Sequence, residues 1–464
     1  MSTASNVLLI VLVIVAARVL GDKSFGQFSV ALALTSIFEM VVDLGLNTFT
    51  ARNVSRDRAL AGVYLPNILG WKLILSAAAA GLLALSVKVL HLAPDARAAT
   101  YILGGAVILR SYKLTSQAFF QAYERFDLIM LTTYVERIAV LVVGVIVLLL
   151  TRSLIMFAAT FAVVRIPDLV FAYWLVHRQI ASVRIGLDLR IVKNVQVSAV
   201  PFGAYAIALA TYWYVGTVVL SAMRPPAEVG WYNAGYKIYE SLTMFPFILS
   251  AVLLPRLSRL FTMDRSRHAT LSLRALRYLS LGSLPLAISI GILAPQIVML
   301  LYGQAYLHAV PALRVLLGAS VLMFINWTVN MVLISADREK AVLKVMATGL
   351  LVMITANLAL VSRLGMMGAA YSVAVSEMCV FALLLGTMRR ALFSIPAHAI
   401  AWRPALACAA AGGVLLLLRV TLPIASVLLF VAAYAVVLVA LRTFDAEEWS
   451  AVKSLFSPYA VPRK

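Results

Sequence analysis

The sequence predicts an all-α membrane protein with about fourteen transmembrane helices, arranged as two pseudo-symmetric six-helix bundles plus two C-terminal helices. Three observations predict it. Hydrophobic residues make up 63% of the 464 and charged residues only 12%, with mean hydropathy +0.97, whereas a soluble domain averages about 45–50% and about 25%. Apolar stretches of spanning length recur along the whole chain. Two of these stretches, 204 positions apart, share a pattern of landmarks. A soluble domain, a disordered chain and a disulfide-stapled module are excluded by composition.

The apolar stretches fall at 3–20, 27–50, 66–90, 98–122, 127–150, 154–176 and 195–223, then at 229–254, 276–302, 309–335, 341–362, 366–388, 404–419 and 424–441. The first is read as a span and not a signal peptide. Met1 to Asn6 carries no Lys or Arg, and Ala16-Ala17-Arg18 is a poor cleavage site. Gly412-Gly413 and Pro423 interrupt the last two.

Basic residues set the expected orientation. Counted from a cytoplasmic N-terminus, 22 Lys and Arg fall in inside loops and the tail, and only Lys23, Arg97, Arg152, Arg224, Arg363 and Arg419 fall outside. The positive-inside rule then puts both termini in the cytoplasm. Most of the formal net charge of +20 is thereby topological. It calls for anionic membrane lipids as neighbours and not for nucleic acid.

The repeat pairs Phe25-Gly26-Gln27-Phe28, followed by a span and Arg52, with Val229-Gly230-Trp231-Tyr232, followed by a span and Arg256. Gly26 to Arg52 and Gly230 to Arg256 have the same spacing. This gives an N-terminal six-helix lobe at 1–178, a C-terminal lobe at 191–390, two additional helices at 404–441 and a cytoplasmic tail at 442–464. Two-repeat membrane proteins commonly bind substrate between their repeats.

A charge within a span costs about 2.5–3.5 kcal/mol on insertion scales, so it normally faces a cavity or a partner. Arg110 and Lys113 share a helix face that Gln117 and Gln121 continue. Such a cationic stripe lines an anion-binding cavity or pairs with Glu39 and Asp43, which lie one turn apart; the two readings are compatible. Glu39 and Asp43 are also candidates for ion coupling. Arg165/Asp168 and Lys237/Glu240 are i,i+3 pairs able to neutralise each other. Lys72 and Lys344 lie near helix ends and are able to snorkel to the interface, the simpler account for Lys344. Tyr205, Tyr212, Trp213 and Tyr214 read as an interfacial belt or a surface for sugar rings, and Asn326, Asn330 and Asn357 as bonds between helices.

No motif of an enzyme is present, neither a G-x-S-x-G elbow, a Walker A loop nor an aspartate-rich metal cluster. Cys379 and Cys408 are far apart in apolar surroundings, and the five histidines lack ligand spacing, so no metal is expected. No cofactor is called for; a proton or a sodium ion is the candidate coupling ion.

Several segments together resemble one family. They are Ala17-Arg18-Val19-Leu20-Gly21 before Phe25-Gly26; Asp43-Leu44-Gly45-Leu46 before Arg52; and Val229-Gly230-Trp231-Tyr232-Asn233-Ala234 before Lys237. Then follow Pro255-Arg256-Leu257-Ser258, Leu301-Tyr302-Gly303-Gln304-Ala305-Tyr306, Pro311-Ala312-Leu313 and Gly365-Met366-Met367-Gly368-Ala369-Ala370. In order and spacing they resemble the polysaccharide transporters of the MOP flippase superfamily, the O-antigen and exopolysaccharide flippases. The resemblance implies two six-helix lobes around a cationic, water-filled cavity. It implies a bacterial inner-membrane protein that moves an undecaprenyl-pyrophosphate-linked glycan from the cytoplasmic to the outer leaflet, alongside other glycan-assembly membrane proteins. Arg18, Arg52, Arg110, Lys113, Lys237 and Arg256 are the expected pyrophosphate ligands. Glu39, Asp43, Gln117 and Glu240 are the expected polar or ion-coupling groups. The alternatives are a cation-coupled drug or metabolite exporter on the same scaffold, and a membrane glycan polymerase or ligase.

Overall fold

The computed structural model describes residues 3–394, 397–418 and 423–441. The expected tail at 442–464 and Arg419 lie outside the described residues. Among those residues the regular elements are all helical. They are α1 (Thr3–Asp43), α2 (Leu46–Arg56), α3 (Ala61–Val89), α4 (Pro94–Ala122), α5 (Phe126–Thr151), α6 (Leu154–Gln179), α7 (Leu189–Met223) and α8 (Pro226–Leu242). Then come α9 (Met244–Met263), α10 (Arg265–Ile292), α11 (Ala294–Leu301), α12 (Val310–Ser335), α13 (Glu339–Leu364), α14 (Met366–Ala391), α15 (Ala397–Leu418) and α16 (Pro423–Ala440). Short 3-10 turns occupy Arg58–Leu60 and Gln304–Ala309.

The breaks differ from the sequence expectation. The first two expected spans form one continuous element, α1, interrupted only at Gly21, whose φ of 77° and ψ of 171° are non-helical. The second span stops at Asp43 and not at Thr50. Leu44 and Gly45 both adopt positive φ, 40° and 84°, and α2 begins after them. The expected spans at 229–254 and 276–302 are each divided, between α8 and α9 and between α10 and α11. Nine described helical stretches are long and apolar enough to cross a bilayer, where the sequence reading expects about fourteen spans. The two elements that carry Glu39, Asp43, Arg110 and Lys113, α1 and α4, are not among the nine.

The chain divides into two compact units. Unit 1 comprises Met1–Ile238, Val298–Ala312 and Ala347–Ser376. Its helix α5 shows how such a bundle is sorted. Leu131, Val135, Ile138, Val142, Ile146 and Leu149 are exposed at spacings of three and four, an apolar face suited to acyl chains. Thr132, Glu136, Val140, Gly144 and Leu148 form the opposite, buried face. Phe28 on α1 packs against Phe157 and Phe161 on α6, with centroids 5.0 and 6.1 Å apart. Leu65 and Leu69 of α3 meet Phe119 and Phe120 of α4 in a second apolar cluster.

In the same unit α1 crosses α8 at Gly26 and Gly230. A Cβ on Gly26 would stand 2.9 Å from the Gly230 nitrogen and collide with the Pro226 carbonyl oxygen. A Cβ on Gly230 would collide with the Asp22 carbonyl oxygen. Only glycine permits this approach. Trp231 donates from Nε1 to Asp22 Oδ2 at 2.9 Å beside the crossing, and Tyr306 donates to the Ala17 carbonyl at 2.8 Å.

Unit 2 comprises Tyr239–Ile297, Leu313–Met346 and Glu377–Lys464. One of its apolar clusters joins Leu257 and Leu276 to Val332, Leu333, Val380 and Leu384. The other seats α15 and α16 on α10 through Leu281, Ala407, Cys408, Ala411, Phe430 and Tyr434. Asn326 donates to Glu377 Oε2 at 2.7 Å, the interhelical role expected of that asparagine.

Candidate functional site

The apolar interior of unit 1 encloses a charged core contributed by five helices. Because α1, α3, α4, α5 and α6 each turn one face inward, their few polar residues meet. Lys72 of α3 is fully buried. Its ammonium lies 3.1 Å from Asp43 Oδ1, 3.3 Å from Asn47 Oδ1, 3.0 Å from the Ser111 carbonyl and 3.1 Å from Ser111 Oγ. Of the two readings open for Lys72, snorkelling is thereby excluded. A lysine this deep in a bundle is held by acceptors from α1, α2 and α4, because hydrocarbon offers it none.

Arg110 of α4 donates from Nη1 to Glu39 of α1, 2.7 Å from Oε1. Glu39 is 3% exposed, but Arg110 remains 29% exposed. No other hydrogen bond of the guanidinium is found among the described residues, so its remaining N–H groups stay available. Tyr214 of α7 lies within electrostatic reach of Arg110.

One turn further along α4, Lys113 is 2% exposed. It donates to Glu136 Oε2 at 2.7 Å and to the Thr132 carbonyl at 2.9 Å. Asp168 Oδ2 of α6 is 2.8 Å away. Gln117 continues the ladder, donating to Thr132 Oγ1 at 3.2 Å and Thr133 Oγ1 at 3.1 Å. Arg165 approaches Glu136 Oε1 at 3.5 Å. Arg137 lies within electrostatic reach of Glu136, Glu39 and Arg110.

Two sequence expectations change here. Arg165 and Asp168 are spaced so that they are able to neutralise each other along one helix. Instead each finds its ion-pair partner on another helix, Glu136 for Arg165 and Lys113 for Asp168. Lys113 was expected at a cavity wall. It is enclosed by carboxylates in this conformation, the pairing reading of the same residue, with Glu136 and Asp168 in place of Glu39 and Asp43. The signal for the α4–α5 contact was present in the sequence. Lys113 and Gln117 are spaced i,i+4, as are Thr132 and Glu136 on the next helix.

The other expected ligands are distributed. Arg18 is exposed near the Gly21 break, with Nη1 3.3 Å from the Leu300 carbonyl. Arg52 is exposed on α2. Lys237 joins Ser29, Tyr214, Asn233 and Tyr236 around a narrow hollow that admits little more than one water molecule. Tyr214 is common to this hollow and to the surroundings of Arg110. In unit 2, Arg256 is exposed on α9 and Glu240 is half-buried on α8. Of the aromatic belt, Tyr205 is exposed, while Tyr212, Trp213 and Tyr214 are half-buried. Trp213 meets Tyr236 edge-on at 6.4 Å.

Five cations (Lys72, Arg110, Lys113, Arg137 and Arg165) thus share this core with four carboxylates (Glu39, Asp43, Glu136 and Asp168). The core carries one positive charge in excess, and Arg110 presents part of it to the outside.

Helices of this length and hydropathy, packed around a charged core, define a multi-pass all-helical membrane protein. The sequence profile of the family described as polysaccharide biosynthesis protein matches residues 1–261, more than half of the chain, and the protein belongs to that family. Its fold is similar to that of the lipid II flippase MurJ in an inward closed conformation, with a TM-score of 0.73, 14% identity, and coverage of 95% of this chain and 99% of that one. It is also similar to an inward-facing multidrug resistance MATE transporter of the MOP superfamily, with a TM-score of 0.67, 15% identity, and coverage of 84% and 95%. A third similar structure is a MOP transporter from Pyrococcus furiosus described as having a binding pocket of reverse polarity, with a TM-score of 0.52, 16% identity, and coverage of 83% and 95%. No curated protein matches the sequence.

Proposed function

We propose that this protein is a transporter and not an enzyme, and that it carries an undecaprenyl-pyrophosphate-linked oligosaccharide from the cytoplasmic to the outer leaflet of a bacterial inner membrane. In this reading the lobes at 1–178 and 191–390 alternate access to a cationic central cavity, and the polyprenyl chain stays in lipid. Both termini are cytoplasmic, as the distribution of basic residues supports.

The observation that carries the reading is the charge excess beside an incompletely engaged Arg110. A diphosphate is anionic and accepts several hydrogen bonds, and a guanidinium with spare N–H groups matches it in charge and geometry. Arg110, Arg18, Arg52, Lys237 and Arg256 are the proposed headgroup ligands; Lys113 joins them only if its carboxylate partners release it. Glu39 competes with the cargo for Arg110, so the headgroup is held without being trapped. Differential affinity in the two states then permits release.

The test is a liposome assay that follows a fluorescent polyprenyl-diphosphate glycan between leaflets, with and without an imposed ion gradient. The parent protein moves the probe, and Arg110→Ala at equal incorporation loses that activity. Equal rates for the parent, Arg110→Ala and empty liposomes would remove the proposal.

A further inference from the structure

The contact around Lys113 is a feature of the core distinct from the half-open Arg110–Glu39 pair. Its ammonium stands among three oxygens from two neighbouring helices, Glu136 Oε2 at 2.7 Å, Asp168 Oδ2 at 2.8 Å and the Thr132 carbonyl at 2.9 Å. The Glu136 and Thr132 contacts are directed hydrogen bonds. The Asp168 contact is an ion pair that departs from that alignment, and Asp168 is 5% exposed with no partner at its carboxylate oxygens among the described residues beyond Lys113 and the nearby charges. Close approach without direction is how oxygens surround a metal cation, which has no N–H bonds to aim. The ion pairs agree. Among the described residues Lys113 is shared by Glu136 and Asp168, while Arg165 reaches only Glu136, so Lys113 is the one cation paired with Asp168.

We infer that Glu136, Asp168 and the Thr132 carbonyl form a monovalent-cation cradle, filled in this conformation by the tethered ammonium of Lys113. In this state the native protein therefore binds no alkali cation at this place. Deleting the amine leaves Asp168 without its ion-pair partner and the three oxygens without a cation, a place of the size and charge of a single potassium, ammonium or sodium ion. An ammonium group and a potassium ion are close in size, so potassium and free ammonium are the best substitutes.

The experiment is Lys113→Ala, carried as a fluorescent fusion in solubilised membranes so that even a low yield is readable. Thermal unfolding is compared in potassium, ammonium and sodium chloride and in N-methylglucamine chloride at one ionic strength. Mass action stabilises a folded state that binds the ion. The midpoint of Lys113→Ala is expected to rise by about 3 °C or more in potassium or ammonium over N-methylglucamine, while the native protein shows no such preference. Lys113→Ala/Asp168→Asn, which also removes one of the two carboxylates of the cradle, loses the dependence.

Three results would overturn the inference. Lys113→Ala could respond to pH and not to the cation, so that a proton fills the place. The cation response could survive in the double variant, so that the ion binds elsewhere. Folded Lys113→Ala could be absent in every salt, because a cradle that no free cation can fill is not a cation site.

Discussion

Gly26 and Gly230 hold equivalent places in the two repeated stretches, 204 positions apart, and they meet at a helix crossing. The nitrogen of Gly230 lies 2.9 Å from where a Cβ on Gly26 would sit. The two glycines that mark the expected repeat thus lie at a crossing where α1 and α8 approach backbone to backbone.

A side chain at this crossing must force α1 and α8 apart. Gly26→Ala is expected to lower stability by about 1–3 kcal/mol, read as a lower midpoint of thermal unfolding. Gly81→Ala on α3 is the control. It sits in a helix interior with no atom near its added methyl group, and it should be neutral or stabilise by up to about 1 kcal/mol.

Lys72 supplies a second test. Lys72→Met leaves Asp43 without its ion-pair partner, and breaking one side of a buried pair costs about 3–5 kcal/mol. Lys72→Met/Asp43→Asn removes both charges and should recover most of that loss. A double variant no more stable than the single one would show that Lys72 acts through Ser111 and not through Asp43.

Glu39 is expected to weaken anion binding at Arg110. In nanodiscs, Glu39→Gln should bind inorganic pyrophosphate about tenfold more tightly than the parent, a difference of about 1.4 kcal/mol. Arg110→Ala should not bind it detectably. A Glu39→Gln affinity equal to or below that of the parent would end the idea of competition.

Glu228 anchors the turn between α13 and α14. Its Oε1 accepts the Met366 amide at 2.7 Å beside Gly365, whose φ is 57°. Glu228→Ala should raise hydrogen exchange at residues 362–370 and cost about 1–3 kcal/mol, the range for a hydrogen bond to a charged group. Unchanged exchange there would mean that the turn holds without the carboxylate.

Much of this architecture was legible in the sequence, and the failures share a cause. Hydropathy marks apolar stretches but averages over a local break. Thr243, between α8 and α9, has φ −60° and ψ −20°, values so near helical that no residue type announces the interruption. The Gly45 break was nearer to being readable, because Asp43-Leu44-Gly45 has the composition of a helix end. Lys72, Arg110, Lys113, Arg165, Asp168, Glu39 and Asp43 were legible as charges needing a cavity or a partner, and the pairing of Arg110 with Glu39 was one of the readings. The remaining pairs were not, because they depend on how each helix is rotated about its axis. Arg165 and Asp168 are neighbours in sequence, yet α4 and α5 bring Lys113 and Glu136 closer to them in the ways that matter.

The four-acceptor grip on Lys72 constrains motion as well as stability. Sliding α3 along α1 or α4 would drag an ammonium group through hydrocarbon, so those three segments travel as one rigid body around that nitrogen. Any rearrangement of α1 must then bend where its backbone already departs from the helix, with Gly21 and the Leu44–Gly45 step as its hinges.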